Sequence, residues 1–261
     1  MPDRVLPLFA RAKPIIAVLH AGASPGVPGF TSVRSSVERI SAEARMLVEL
    51  GVDGLLVENA HDMPALPEDD LGAEVVAYMT AVTVAVRRQA GRLPVGVRVL
   101  RGANQTALAV ALAGGGRFVR ADAWATDPDD AAHFHRYQTH IGAADIPMFA
   151  DLRATTPDEA TALVDTLTDM RPAALTVLGP AYGERPAEGV MEAVCDATDL
   201  PVFAGGGLNA ETLPDVIDYA DGFLVGSGLK ENGDWFAPVS EERVRKLVGA
   251  VEYARGQEVR S

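Results

Sequence analysis

This sequence has very little cysteine and no long apolar run. Cys195 is the one cysteine among 261 residues, so no disulfide can form within the chain, as is usual in a reducing cytoplasm. No apolar segment approaches the roughly 20 residues of a membrane-spanning helix, and the amino terminus lacks the basic and apolar regions of a signal peptide. We therefore expect a cytoplasmic protein that does not associate with membranes.

Positive charge and aromatic side chains are also scarce. The chain has 23 Lys and Arg against 36 Asp and Glu, a net charge of −13, which disfavours nucleic acid and anionic membranes as partners. Aromatic residues make up 6% of the chain and hydrophobic residues 48%, which suits a sizeable core of aliphatic side chains. We predict one domain over residues 1–261, with an amino-terminal extension at 1–12 and a flexible tail at 255–261.

Short apolar runs alternate with longer helical patterns along the chain. Eight such βα units, in about the 250 residues that the fold needs, favour a closed (β/α)8 TIM barrel over an open doubly wound sheet. The predicted strands are Pro14–His20, Gly54–Glu58, Val95–Leu100, Phe118–Ala123, Pro147–Arg153, Ala174–Leu178, Pro201–Ala204 and Gly222–Val225. The predicted helices are Ser36–Glu49, Ala73–Gln89, Gln105–Ala113, Pro128–His140, Pro157–Asp169, Ala187–Asp196, Ala210–Tyr219 and Glu241–Ala254.

Two glycine clusters follow the last two predicted strands. Glycine leaves peptide N–H groups unshielded, and the loops after strands seven and eight of such barrels commonly hold a phosphate. A dinucleotide-binding interpretation fails, because neither cluster gives Gly-x-Gly-x-x-Gly at the start of a first βα unit. We predict a phosphate-binding cup formed by Gly205, Gly206, Gly207, Gly226, Ser227 and Gly228.

Polar residues at the carboxyl ends of the strands are the catalytic candidates, because active sites of TIM barrels lie there. Glu58 follows an apolar run directly, and a carboxylate is costly to bury there without a partner or a task. We expect Glu58 to act as general base and His20 or Asp151 as the complementary acid, with Asp122 as a further candidate. The alternative for His20 is a buried histidine with satisfied hydrogen bonds.

Arginines lie on three neighbouring predicted strands, which is unusual in a chain this acidic. They indicate a positive pocket for a substrate phosphate or carboxylate. The alternative is that they form internal ion pairs with the carboxylates of the strand ends. The predicted substrate-binding residues are Asn59, Arg98, Arg101, Arg120, Arg153 and Lys230.

Three further interpretations stay open. Glu58, Asp122 and Asp151 could together hold a metal, although no spacing motif supports one, and we predict neither a metal nor a cofactor. Lys230 as a Schiff-base nucleophile is disfavoured, because it follows the barrel rather than lying in its apolar interior. The neighbouring Trp235-Phe236 pair is either a contact surface for a homo-oligomer or packs on the last helix.

Several segments resemble one known family. They are Lys13-Pro-Ile-Ile-Ala-Val-Leu-His20, Gly51-Val-Asp-Gly-Leu-Leu-Val-Glu58-Asn59, Pro94-Val-Gly-Val-Arg-Val-Leu-Arg101, Phe118-Val-Arg120, Ala150-Asp151 and Val225-Gly-Ser-Gly-Leu-Lys230-Glu-Asn-Gly233-Asp-Trp235. The chain resembles the BtpA/SgcQ family from about residue 13 to residue 248. The resemblance implies a TIM barrel of the ribulose-phosphate-binding type. One cyanobacterial member is linked to photosystem I accumulation and others are described as nucleosidase-like.

The chain departs from that family on strands three to five. The family usually has Asn in place of Arg98 and Asp122, and His and Lys in place of Arg153 and Thr155. The resemblance therefore implies a retained phosphate cup beside an altered substrate or reaction. We expect an enzyme acting on a phosphorylated sugar- or nucleotide-like metabolite by isomerisation, lyase chemistry or glycosidic cleavage. The alternatives are a non-catalytic assembly or regulatory protein and a metal-dependent hydrolase.

Overall fold

Eight parallel strands close into a barrel in chain order, which confirms the predicted TIM barrel. The computed structural model describes residues 4, 6–122 and 128–258. Most strands are buried along their whole length, because helices cover them outside and side chains fill the interior. The strands are β1 Ile15–His20, β2 Gly54–Glu58, β3 Val95–Arg98, β4 Phe118–Ala121, β5 Met148–Arg153, β6 Ala174–Leu178, β7 Val202–Gly205 and β8 Gly222–Val225. The predicted end of strand four, Ala123, lies outside the described residues.

The helices surround the barrel as predicted, with one exception. Thr156 caps α5 by accepting the N–H of Glu159, and Pro157 opens that helix. Within the described segments, every helix is too short or too polar to traverse a lipid bilayer. The helices are α1 Val33–Glu49, α2 Ala73–Gln89, α3 Asn104–Gly114, α4 Pro128–His140, α5 Pro157–Asp169, α6 Glu188–Ala197 and α7 Glu241–Glu258.

Two predictions near the carboxyl terminus need correction. The helix predicted at Ala210–Tyr219 is replaced by a short 3-10 turn, Leu213–Asp215, because Pro214 cannot donate a helical hydrogen bond and clashes with the preceding turn. The flexible tail predicted from residue 255 is wrong at its start, because α7 continues to Glu258. Arg255 anchors this helix through a 2.6 Å contact with Asp53 at the amino-terminal end of the barrel.

Aromatic rings close the amino-terminal end of the barrel. Phe9, from the amino-terminal extension, packs against Phe118 and Phe203 with ring centroids 6.2 and 5.9 Å away. Glycines on neighbouring strands make room for these rings: a Cβ on Gly96 would overlap Phe118, and one on Gly222 would overlap Phe203. Since this end is filled, the carboxyl end of the barrel is where a ligand can enter.

Candidate active site

The strand ends converge on one cavity at the carboxyl end of the barrel. His20 is in register with Glu58, and Glu58 with Arg98, so the three side chains lie side by side at the mouth. The cavity has a volume of about 70 Å³. Its lining consists of Val18, His20, Glu58, Arg98, Arg120, Arg153, Leu178, Ala181, Tyr182, Gly183, Glu184, Gly206, Gly207, Leu224, Gly226, Ser227 and Trp235.

Arg98 is the centre of a buried ion-pair network. Its Nη1 lies 3.0 Å from Oε2 of Glu58, and its Nη2 lies 2.8 Å from Oδ2 of Asp122 and 3.7 Å from Oδ2 of Asp151. Its Nε is buried and has no hydrogen-bond partner among the described residues. Three carboxylates thus hold this guanidinium in place, and one N–H is left without an acceptor.

Arg120 forms the second part of the network. Its Nε and Nη2 donate to the two oxygens of Asp151 at 2.7 and 2.9 Å, and its Nη1 lies 3.6 Å from Glu58. The alternative of internal ion pairs is therefore correct for Arg98 and Arg120, although both also face the cavity. Guanidinium groups occupy the positions between the carboxylates that a cation would need. Nowhere in the described residues do three His, Cys, Asp or Glu side chains form a metal-binding group.

The network fixes the ionisation of Glu58. Burial by itself would raise the pKa of this carboxyl, but the positive charges of Arg98 and Arg120 outweigh it and lower the pKa to about 2. Glu58 is therefore ionised at neutral pH and has little tendency to take up a proton.

His20 presents a different electrostatic situation. Burial lowers its pKa to about 4, and the nearby Glu58 only partly opposes this effect. Its Nδ1 lies 3.4 Å from the carbonyl oxygen of Trp235, and because a carbonyl only accepts, Nδ1 must carry the proton. The Nε2 atom faces Gly226 on the cavity side. At neutral pH His20 is thus an uncharged ring with its lone pair directed at the cavity.

The two glycine turns face the cavity from β7 and β8. Gly206 and Gly207 have φ angles of 76° and 59°, a left-handed conformation that favours glycine. Among the described residues, nothing accepts the N–H groups of Gly206, Gly207 and Ser227. Gly205 ends β7 and does not line the cavity. Of the predicted cup, Gly206, Gly207, Gly226 and Ser227 line the cavity.

Glycine is also needed in these turns for close packing. A Cβ on Gly206 would come within 2.6 Å of the carbonyl oxygen of Glu184, and one on Gly228 would overlap the carbonyl of Leu208. Gly228 does not line the cavity. Substitutions at Gly206 or Gly228 would therefore disturb the backbone packing as well as any ligand, whereas a Cβ on Gly226 would meet a side-chain atom, Nε2 of His20, at 3.2 Å.

Three arginines line the cavity, and of these Arg98 and Arg120 pair with carboxylates whereas Arg153 does not. Its Nη1 donates to the carbonyl of Gly179, and its guanidinium lies 5.2 Å from the ring centroid of Tyr182. Tyr182 itself is 65% exposed and forms part of the cavity rim. A positive charge that is not neutralised by a carboxylate therefore lies at the edge of the cavity.

Three predicted substrate-binding residues do not line the cavity. Asn59 accepts the N–H of Leu100 at 2.6 Å and so holds the end of β3 in place. Arg101 is exposed. Lys230 is 2% exposed and donates from Nζ to the carbonyl of Ala237 at 3.0 Å. Lys230 lies in the loop after β8, outside the barrel interior as expected, but burial in that loop lowers its pKa, which the expectation did not foresee.

The sequence analysis did not place Tyr182 and Trp235 at the cavity, although both line it. Trp235 lies 5.1 Å from the ring of His20 and 6.3 Å from that of Tyr182, so it packs at the site rather than on the last helix. Phe236 remains 70% exposed and stacks on His61 at 4.7 Å. Tyr182 lies in the loop that follows the predicted sixth strand, so its position near a strand end was the one available signal.

Sequence comparison identifies relatives along nearly the whole chain. A profile of the BtpA family matches residues 11–253. The Photosystem I biogenesis protein BtpA of Synechocystis sp. is 30% identical over 264 residues, covering 93% of this chain and 89% of that protein. An uncharacterised protein of Pyrococcus furiosus is 31% identical over 248 residues, covering 90% and 94%.

Solved structures show the same fold at low sequence identity. The (S)-3-O-geranylgeranylglyceryl phosphate synthase of Thermoplasma acidophilum, in complex with sn-glycerol-1-phosphate, has a TM-score of 0.64 and 14% identity, covering 93% of this chain and 94% of that chain. A 3-hexulose-6-phosphate synthase has a TM-score of 0.60 and 15% identity, covering 90% and 99%. The family match spans all eight strands, both glycine turns and the ion-pair network at the mouth, and the chain therefore belongs to the BtpA family.

Proposed function

We propose that this protein is an enzyme that acts on a small phosphorylated metabolite. One observation carries the proposal: two glycine turns with N–H groups that have no acceptor among the described residues, the guanidinium of Arg153 and the ring of His20 all line one cavity. Peptide N–H groups and a guanidinium together form a site for an oxyanion. The phosphate would accept hydrogen bonds from Gly206, Gly207 and Ser227, with Arg153 at its edge.

The fold likeness agrees with a phosphorylated ligand. The neighbours include a synthase bound to sn-glycerol-1-phosphate, a hexulose-phosphate synthase and a phosphoribosyl anthranilate isomerase. At 13–17% identity this is an analogy between folds. It supports the class of ligand and leaves the reaction to be argued from the site.

The electrostatics favour His20 over Glu58 as the group that moves a proton. The Glu58 carboxylate, with a pKa of about 2, is a weaker base than the His20 ring, whose pKa is about 4 and whose Nε2 lies on the cavity side. Glu58, Asp122 and Asp151 then keep the guanidinium of Arg98 in place, where it stabilises negative charge that develops on the substrate.

This distribution of roles fits isomerase or lyase chemistry better than glycosidic cleavage. In isomerase and lyase reactions a base removes a proton, and negative charge then forms on an oxygen of the substrate. Nε2 of His20 would accept the proton, and Arg98 would stabilise the negative charge. Glycosidic cleavage usually needs a carboxylic acid that keeps its proton near neutral pH. Glu58, ionised between two arginines, does not meet that requirement.

The substrate extends beyond the cavity under this proposal. The cavity, of about 70 Å³, would hold the phosphate group. A groove of about 510 Å³ adjoins the cavity at Gly183, Glu184 and Gly207. The remainder of the metabolite would lie in that groove or displace the loop that carries Trp235.

Phosphate binding is the first test, with two arginine variants as a matched pair. Inorganic phosphate, then phosphorylated sugars and nucleotides, should raise the melting temperature. Arg153→Met should weaken binding about 10- to 100-fold, the loss of one charge-assisted hydrogen bond. Arg101→Met removes the same charge outside the cavity and should leave the affinity nearly unchanged. Equal effects of both variants, or no stabilisation by any phosphorylated compound, would refute the phosphate site.

Compounds that bind should then be incubated with the protein and followed by ³¹P NMR. His20→Gln should abolish turnover and retain phosphate binding, because it removes the base but none of the proposed phosphate donors. Turnover that survives in His20→Gln and disappears in Glu58→Gln would return the role of base to Glu58.

A non-catalytic assembly or regulatory protein is the second candidate. The observation in its favour is that Arg98 and Arg120 pair internally and Trp235 covers a small cavity, so the mouth is largely closed. The similarity to a photosystem I biogenesis protein of Synechocystis points the same way. This candidate predicts that no phosphorylated metabolite changes the melting temperature and that the protein forms an oligomer or a complex with another protein.

A further inference from the structure

Two histidines converge on one peptide carbonyl above the cavity. The carbonyl oxygen of Trp235 lies 3.4 Å from Nδ1 of His20 and 3.4 Å from Nε2 of His61. Because a carbonyl only accepts hydrogen bonds, each ring must present an N–H at that atom. The two rings come from the ends of β1 and β2, whereas Trp235 comes from the loop after β8.

The loop that carries Trp235 is fixed at its base. Lys230 donates from Nζ to the carbonyl of Ala237 at 3.0 Å, and the N–H of Glu231 donates to Pro238 at 3.0 Å. Between these ends the chain turns at Asn232 and Gly233, whose φ angles are 54° and 70°. The base thus holds the loop on the barrel, and the two histidines hold its tip over the cavity.

We propose that Trp235 is a positioning residue whose carbonyl keeps His20 in the Nδ1–H tautomer, and that His61 holds that carbonyl in place. The consequence is that Nε2 of His20 carries its lone pair into the cavity. The tautomer of a histidine is set by the hydrogen bond of its other nitrogen. The part of this inference that concerns proton transfer rests on the proposed function; the tautomer itself does not.

The surroundings of both rings support neutral histidines, for which a tautomer is defined. Burial lowers the pKa of His20 despite the charge of Glu58, and Lys230 lowers it further. Burial also lowers the pKa of His61, and Lys230 and Arg39 act in the same direction. Each neutral ring has a single N–H, and the geometry assigns both to the carbonyl of Trp235.

The stacking of Phe236 on His61 adds a second contact between the loop and the β2 end. His61 thus holds the loop through its Nε2–H and through its ring face. These two contributions can be separated by substitution. His61→Phe keeps an aromatic ring against Phe236 and removes the N–H, whereas His61→Ala removes both.

Histidine NMR of the whole protein tests the proposal directly. The chain has five histidines, and ¹⁵N shifts with two-bond ¹⁵N–¹H couplings distinguish a protonated ring nitrogen from one with a lone pair. We expect Nδ1–H for His20 and Nε2–H for His61 in the unmodified protein. Nε2–H for His20 at neutral pH would overturn the proposal.

Variants then test whether the loop sets the tautomer. Trp235→Ala removes the ring contact that keeps the tip in place, so His20 should change from one tautomer to a mixture. His61→Ala should do the same to a smaller extent, and His61→Phe should show how much depends on the N–H alone. His133, which is exposed on α4, is the internal control and should not change. An unchanged His20 in both Trp235→Ala and His61→Ala would exclude the positioning role.

Inorganic phosphate separates this inference from the proposed function. Phosphate in the cavity should shift the Nε2 resonance of His20 without changing its tautomer. If the tautomer results hold and phosphate has no effect, the positioning role stands and the phosphate site fails. If phosphate shifts Nε2 and the tautomer does not depend on Trp235, the phosphate site stands and the positioning role fails. An unchanged circular dichroism spectrum in each variant shows that the barrel is retained.

Discussion

The two ends of the barrel use charged residues differently. At the amino-terminal end, Asp53 and Asp221 each accept a strand N–H at 2.9 Å, from Ile15 and Val202. These carboxylates accept the N–H groups at the starts of two strands, and Arg255 forms an ion pair with Asp53. At the carboxyl end, the acidic side chains contact arginines that themselves project from strands.

The difference lies in what remains unpaired. The amino-terminal end is filled by aromatic rings around Phe9. At the carboxyl end, Nε of Arg98 and the N–H groups of Gly206 and Gly207 have no acceptor among the described residues. A buried donor without an acceptor, such as Nε of Arg98, is rare in folded proteins and calls for a water or a ligand. The comparison therefore agrees with the proposal that the amino-terminal end serves stability and the carboxyl end binds a ligand.

The largest effect should come from removing the central arginine at the mouth. Arg98→Met leaves three carboxylates without their shared cation and should cost about 3–5 kcal/mol of unfolding free energy. Arg255→Met at the other end should cost less, about 1–2 kcal/mol, because Asp53 keeps the N–H of Ile15 and lies 3.9 Å from Arg11. Urea denaturation measures both. A larger loss for Arg255→Met would reverse the comparison.

The pH dependence of stability should also be governed by the mouth. The pKa of His20 falls from 6.5 to about 4 on folding, so the unfolded chain binds the proton first as the pH is lowered. Stability should decrease between about pH 6.5 and 4, by up to roughly 3 kcal/mol. The pKa of Glu58 is lowered from 4.5 to about 2, so a further loss of stability is expected as the pH falls from about 4.5 to about 2. His20→Gln should flatten the upper part of the curve.

The control for this measurement is His133→Gln, on the exposed surface of α4. It should leave the dependence of unfolding free energy on pH unchanged. A curve that is flat between pH 6.5 and 4 in the unmodified protein would show that His20 is protonated without cost in the folded state.

The smallest change in stability should come from adding one methyl group to the cup. Gly226→Ala places a Cβ 3.2 Å from Nε2 of His20, inside the cavity, and should cost less than about 1 kcal/mol while weakening phosphate binding about tenfold. Gly228→Ala would overlap the carbonyl of Leu208 and should cost about 1–3 kcal/mol. Thermal unfolding and phosphate titration distinguish the two. Phosphate affinity that is unaffected by Gly226→Ala would place the anion elsewhere.

Much of the fold could be predicted from local pattern. Strand β2, Gly54–Glu58, and helix α2, Ala73–Gln89, have the predicted bounds, because an apolar run and a helical period are properties of neighbouring residues. Helix 210–219 was wrong because Pro214 outweighs an otherwise helical composition. Placing Glu58 and His20 at one mouth followed from the topology of a barrel, in which all strand ends meet.

The sequence by itself determined the barrel, its polar mouth and the glycine turns, since each depends on residue type and on spacing along the chain. Only the tertiary structure decided which arginine stays unpaired. Arg98 and Arg120 meet carboxylates from neighbouring strands, whereas Arg153 reaches a carbonyl and Tyr182. Pairing of this kind depends on side-chain directions across the barrel. The sequence lists the charges, but three-dimensional packing determines which of them are neutralised.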